Sequence, residues 1–337
     1  LQAIILASGR GTRFWPITEA FPKALLPLAN RPLLEYLISA LAKVNCTEIF
    51  VTLGYAGDQL REFLTTSQVS SLVKPVLAPD WAQGPLASFQ AVIPHLSAQK
   101  PCILVPTDLY VSPANLRLLA SPAVGMALLF DAKKHQPGTL IHLDSSEQIL
   151  DLSQSQTSLP DYYPAVPALR ATPEFLSFSL KARSKAHLTV FSLLREWLRQ
   201  GNMIQGLPLV EKGWCDVDTP DHLVRLNHHL LSEGWPPDPL PPGTYLPEGI
   251  SMEGPLRSAT LAIGKHSQIL GPVLLGLRVQ VGENCIISDG TTLGASTTVH
   301  ANSKLARCIT FPYTHVPSNV DLKASVLDAK GNILHSQ

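Results

Sequence analysis

At 337 residues the chain exceeds what one ordinary hydrophobic core organises, so two domains are expected. Its 26 Lys and Arg balance 26 Asp and Glu, a formal net charge of +0 that excludes the broad basic field needed to attract nucleic acid or an anionic membrane. Charged residues make up only 15%, which predicts extensive burial or an apolar surface covered by a partner, with another copy of the chain as the expected partner.

The five cysteines, Cys46, Cys102, Cys215, Cys285 and Cys308, are scattered and never spaced C-x-x-C, which argues against a disulfide framework or a zinc site. A reducing compartment is the expectation. With no basic N-terminal region leading into an apolar stretch and no run long enough to cross a bilayer, the predicted location is cytoplasmic.

Residues 3–6, Ala-Ile-Ile-Leu, read as a buried parallel strand running into Ser8-Gly9-Arg10-Gly11-Thr12-Arg13. Two glycines flanking one residue let backbone N–H groups close on an anion, so the loop either cradles phosphate or is a tight strand-to-helix turn. Position 14 is Phe14, not the third glycine of a dinucleotide fingerprint, and no Gly-Lys-Ser/Thr follows, so neither common phosphate motif applies. Arg10, Arg13 and the downstream Lys23 supply the cations that a triphosphate demands.

Residues 32–44 predict a helix with Leu34, Leu37, Ile38 and Leu41 on one face, followed by a strand at 48–53, a helix at 57–64 and a strand at 74–77. Such alternation makes a parallel sheet with helices on its faces. Gly84 and Pro85 open the next helix. The strand at 101–105 runs into Asp108, at the carboxyl end where ligands of open parallel sheets gather; this aspartate is placed to bind a metal or to cap the following helix. Residues 131–210 are the least informative, with helices expected at 173–181 and 188–200. Thr219 caps a further helix carrying Leu223, Leu226 and Leu230.

Residues 235–247 are proline-dense and mark a domain boundary. Beyond them aliphatic residues recur every sixth position, at Ile263, Ile269, Leu275, Val281, Ile287, Leu293, Val299 and Leu305, after which the register weakens at Phe311 and Pro317. Three to four coils of a stacked repeat are expected, with ends that need a cap or a partner.

The strings from Leu6 to Thr18, Phe21 to Pro27 and Asn30 to Tyr36, with Trp214-Cys215-Asp216-Val217-Asp218-Thr219-Pro220, together resemble the sugar-phosphate nucleotidylyltransferases, the NDP-sugar pyrophosphorylases. The six-residue repeat resembles the hexapeptide left-handed β-helix. The resemblance implies an α/β catalytic domain over 1–234, Rossmann-like with a mixed, mostly parallel sheet and helices on both faces, then a proline-rich linker at 235–247 and a left-handed β-helix over 248–337. It implies transfer of a nucleoside monophosphate from an NTP to a sugar 1-phosphate, with pyrophosphate released. Nucleotide binding falls to Leu6, Ala7, Ser8, Gly9, Gly11, Thr12, Arg13, Gly84 and Asp108; magnesium falls to Asp108 and Asp216. Arg13 and Lys23 act on the phosphates as the catalytic cations. Neither nucleic acid nor membrane is an expected partner, and the β-helix is expected to associate copies of the chain.

Several positions depart from the pattern. Thr107 and Asp218 stand where glycines are usual, and residues 131–210 hold neither the Glu-Lys-Pro whose lysine grips the sugar phosphate nor the Gly-x-Tyr strand, so Arg170, Lys181 or Lys185 would have to replace that lysine. These departures leave open a catalytically impaired regulatory or scaffolding paralogue. An acyltransferase using His266, His300 or His315 on the β-helix is the other alternative.

Overall fold

The computed structural model describes residues 1–67, 69–132, 138–153, 162–182, 189–211, 213–233, 243–246, 248–251, 254, 256–258 and 260–336. Contacts divide the chain into two compact units, one made of 1–10, 22–24 and 34–214 and the other of 11–21, 25–33 and 215–337. The second unit therefore contains two stretches from near the N-terminus as well as the repeat.

In the first unit, strands β1 (Gln2–Leu6), β2 (Glu48–Leu53), β3 (Val73–Leu77) and β4 (Cys102–Pro106) form the parallel part of a nine-stranded sheet, in the order β3-β2-β1-β4. Ile4 lies between Phe50 and Leu104 in register. The apolar runs read from the sequence form these strands because both faces are covered. Pro75 is tolerated because β3 is an edge. Helices α1 (Leu33–Lys43), α2 (Gly57–Thr66) and α3 (Pro85–Val92) supply the connections.

The sheet continues through β5 (Ala127–Phe130), β6 (Leu140–Leu143), β7 (Ile149–Ser153), β8 (Tyr162–Ala171) and β9 (Gln205–Pro208), with β8 antiparallel to β4, β5 and β6. Helices α4 (Pro173–Lys181) and α5 (Val190–Arg199) match the two expected there, although Leu188 lies outside the described residues. Thr189 caps α5, accepting from the Ser192 N–H while the Ser192 hydroxyl accepts from the Thr189 N–H. Phe89 stacks on Phe175 at 6.4 Å between centroids, and Trp197 meets Phe175 edge-on at 5.4 Å, so aromatic packing joins α3, α4 and α5 in the core.

In the second unit three sheets of short parallel strands stack into a left-handed β-helix, with four parallel strands in each sheet among the described residues. Ile263, Ile269, Leu275, Val281, Ile287, Leu293, Val299 and Leu305 are all buried inside it. Gly243–Leu246, Gly249–Ser251 and Leu256–Arg257 pair antiparallel with the first coil and cap that end, and Ile333–His335 pairs antiparallel with Ser325–Leu327 at the other. The rest of the proline-dense 235–247 segment lies outside the described residues.

The repeat does not stop at Leu305. Ile269 pairs with Ile287, 18 residues on, but Leu305 pairs with Leu322 and Val299 with Val316, 17 residues on. Each later coil is one residue shorter, which puts buried Thr310 beside Leu293 and shifts the apolar positions by one. Asn284, Asn302 and Asn319 turn one corner in the left-handed backbone region, and their side-chain amides hydrogen-bond up the ladder at 3.2 and 3.1 Å. Helix α6 (Pro220–Ser232) belongs to this unit, where buried Asn227 accepts from the Ala29 N–H at 2.9 Å and donates to the Gly290 carbonyl at 2.8 Å. No helix among the described residues is long and apolar enough to cross a membrane.

Candidate functional site

In the first unit, β1 delivers Leu6, Ala7, Ser8, Gly9 and Arg10 to the carboxyl end of the sheet. The loop is tied down on three sides. The Ala7 N–H donates to Thr52 Oγ1 at 2.7 Å, the Ser8 carbonyl accepts from the Tyr55 N–H at 3.0 Å, and the Ser8 and Ser88 hydroxyls share a hydrogen bond of 2.6 Å. Gly54 permits this approach, because a Cβ there would lie 2.6 Å from Ser8 Cβ and 2.7 Å from Trp81 Cγ. The Arg10 guanidinium lies over the rings of Tyr55 and Trp81, 5.7 and 5.5 Å from their centroids. Gly84 takes φ 114 at the N-cap of α3, with Pro85 in the first turn.

Lys23 is buried, and its Nζ donates to Asp108 Oδ2 at 2.8 Å. Asp108 stands just beyond β4, where the Thr107 N–H donates to the Leu6 carbonyl at 3.0 Å and so ties the two strand ends together. The Thr107 hydroxyl is buried without a hydrogen-bond partner among the described residues. Trp214 Nε1 donates to Asp131 Oδ2 at 2.8 Å and the Ser112 N–H to the Gly213 carbonyl at 3.1 Å, fixing the segment that leads to Asp216.

In the second unit, Gly11 adopts the left-handed conformation at φ 63, and its carbonyl accepts from the Phe14 N–H at 3.0 Å and the Thr18 hydroxyl at 2.6 Å. Thr12 and Arg13 lie on the resulting turn, which Phe14 anchors by complete burial. Arg13 forms an ion pair with Asp218. The Asp218 N–H donates to the Asp216 carbonyl at 2.9 Å, and one carboxylate oxygen from each aspartate lies within 4.8 Å of the other. Paired carboxylate oxygens suit a hard divalent cation such as magnesium.

The expected site residues thus fall into two groups. Leu6, Ala7, Ser8, Gly9, Lys23, Gly84 and Asp108 belong to the first unit, and Gly11, Thr12, Arg13 and Asp216 to the second. Sequence reasoning did not find Thr52 or Ser88 as supports of the loop, nor the pairing of Arg13 with Asp218. The charged Asp218 in place of the usual glycine was the signal for the last of these.

Arg170 is not a substitute for the missing lysine. It pairs in register with Ile103, near the opening of β4 and away from its Asp108 end, and its Nη1 donates to the Leu119 carbonyl at 2.7 Å. Burial lowers its pKa. Lys181 lines a groove between α4 and α5 with Glu174 and Trp197, and Lys185 lies outside the described residues.

A mixed sheet ending in a glycine-rich loop beside a lysine–aspartate pair is joined in one chain to a left-handed β-helix, and the matches that follow make its N-terminal part nucleotidyltransferase-like. The family model described as the MobA-like NTP transferase domain matches residues 3–160. Mannose-1-phosphate guanylyltransferase 1 of Arabidopsis thaliana is 24% identical over 340 residues, 97% of this chain and 86% of that protein. A crystal structure of UDP-glucose pyrophosphorylase complexed with UDP-glucose matches with a TM-score of 0.58 at 17% identity, over 67% of this chain and 96% of that one. A putative glucose-1-phosphate thymidylyltransferase from Bacillus anthracis matches with a TM-score of 0.57 at 19% identity, over 67% of this chain and 93% of that one. At such identities the structural matches speak to the fold.

Proposed function

We propose that the chain transfers a nucleoside monophosphate from an NTP to a sugar 1-phosphate and releases pyrophosphate. The observation that carries this reading is the Lys23–Asp108 pair at 2.8 Å beside the glycine loop at the carboxyl end of a parallel sheet. The curated relative named above is a mannose-1-phosphate guanylyltransferase, which favours guanine and mannose over thymine or adenine with glucose.

The acceptor phosphate oxygen attacks the α-phosphorus in line, so the protein's work is positioning and charge neutralisation rather than covalent chemistry. The loop amides other than the Ala7 N–H, which Thr52 Oγ1 holds, bind the phosphates, and Arg13 stabilises the departing pyrophosphate. Lys23 exchanges its contact with Asp108 for the phosphate charge. Leu6 and Gly84 hold the nucleoside. Asp108 and Asp216 would hold magnesium, with Asp218 a further carboxylate beside Asp216. Magnesium held there would supply positive charge to offset the charge of the phosphates.

Titration calorimetry of the full chain with GTP, dTTP, ATP and UTP, with and without magnesium chloride, tests this. At least one NTP is expected to bind in a magnesium-dependent way, about ten- to a hundredfold more weakly in Lys23→Met. Binding of none of the four would remove the phosphate-loop assignment.

A further inference from the structure

At the opposite end of β4 from Asp108, the first unit forms an open pocket of about 560 Å³, within the range of about 300–1,000 Å³ usual for small-ligand sites. Lys43, Lys100, Arg117 and Arg170 line it, and no carboxylate does so among the described residues. In a chain of formal net charge +0, this is a local excess of positive charge. Each cation is placed by a different element. Lys43 ends α1, beyond which Asn45 turns the chain in the left-handed region at φ 62. Lys100 stands on the turn before β4, and buried Gln2 fixes that turn by donating to the Ser97 and Lys100 carbonyls at 3.2 and 3.3 Å and accepting from the Ser97 N–H at 2.7 Å. Arg117 lies on the helix Pro113–Ala120, which Ser112 caps. Arg170 is in the sheet itself, where β8 sets it between Ile103 of β4 and Ala127 of β5.

Arg170 is the residue that points to a ligand. It is only 6% exposed, its Nη1 donates to the Leu119 carbonyl, and its buried Nε has no hydrogen-bond partner among the described residues. A guanidinium buried with so few acceptors bears a desolvation cost that an anion would offset. No ion pair among the described residues engages Lys43, Lys100 or Arg117. Glu48 feels the charge of Lys100, but its hydrogen bond goes to Lys74 Nζ at 2.6 Å. Helix dipoles account for Lys43 and Arg117 singly, each in a last turn, but not for Lys100 and Arg170 on the same space.

We infer that this pocket binds a small organic bisphosphate, at a site separate from the phosphate loop. A phosphomonoester group carries a charge of about −1.5 to −2 at neutral pH, so two such groups balance the four cations and one does not. The planar forks of Arg117 and Arg170 suit pairs of phosphate oxygens, and the two lysines add point charges. Lys100 precedes the five-residue strand β4 and Asp108 follows it, which at about 3.3 Å per residue puts roughly 16 Å of strand between the two sites. The pocket therefore stands independently of the nucleotidyl-transfer reading.

The test titrates the full chain with propane-1,3-diol bisphosphate, ethyl phosphate and inorganic phosphate, at low ionic strength because salt screens exposed charges. The bisphosphate should bind at least about tenfold more tightly than either monophosphate. Lys100→Ala and Arg117→Ala change exposed side chains and so should fold, and each is expected to weaken the bisphosphate about tenfold. Lys23→Met, at the phosphate loop, should leave that affinity unchanged. No binding of the bisphosphate, equal affinity for inorganic phosphate, or unchanged affinity in both pocket variants would overturn the inference. So would loss of binding in Lys23→Met, which would put the probe at the phosphate loop. Bisphosphate binding that responds to Lys100→Ala in a chain that binds no NTP keeps this site and removes only the nucleotidyl-transfer reading.

Discussion

Lys23 and Asp108 neutralise each other at 2.8 Å in the free chain, so each is held ready without leaving a half-buried charge unpaired. The proposed reaction asks Asp108 and Asp216 for negative charge, which an amide of the same shape cannot supply. Asp108→Asn and Asp216→Asn should each lower pyrophosphate release at least about 100-fold, the scale of losing one transition-state stabiliser, with an unchanged circular dichroism spectrum. Wild-type rates in either variant would remove the metal-binding role. Lys23, Asp108 and Asp216 could be named as candidates because each sits at a fixed place in an ordered motif. The partnership of Ser8 with Ser88 was not, since residues 80 apart in sequence meet only once α3 docks on the sheet.

The strand at Glu48–Leu53 and the helix at Pro173–Lys181 lie where the sequence puts them, because apolar runs and proline-marked helix starts are local signals. The later β-helix coils show the opposite case. A corner one residue shorter moves Val316 and Leu322 out of the six-residue register, so the pattern fades in the sequence while the coils continue. Packing between coils was equally hidden, yet it sets the constraint on the glycines. A Cβ at Gly276 would meet the Ala295 backbone nitrogen at 2.6 Å, and one at Gly282 the Ala301 nitrogen at 2.7 Å. Backbone at that distance cannot swing aside, so Gly276→Val should destabilise the chain by about 1–3 kcal/mol, read as a lower urea midpoint. A midpoint equal to that of the unaltered chain would contradict the coil spacing described.

Across the whole molecule, the grouping of Gly11–Phe21 and Leu25–Leu33 with the repeat has no counterpart in local sequence, because it depends on contacts such as Phe21 with Phe311 and Asn30 with Leu293. The β-helix thereby supports the turn that carries Arg13, in addition to its proposed role in joining copies of the chain. Burial also shapes the alkaline limit of stability. It pushes the thiols of Cys46 and Cys102 up to about 11 and about 12 from an ordinary 9.0, and that of Cys308 to about 11. Above pH 9 the unfolded chain gives up these protons while the folded chain keeps them, so their stability contribution is whole below pH 9 and is lost as pH rises through 11. The urea midpoint should therefore fall between pH 9 and pH 11, and a flat midpoint across that window would contradict the burial of these thiols. The central claim is nucleotidyl transfer, and pyrophosphate release tests it most directly. The full chain with magnesium is given each of the four NTPs against glucose and mannose 1-phosphates. Turnover with at least one pair is the predicted result; NTP binding without turnover across the panel would contradict it and identify a non-catalytic paralogue.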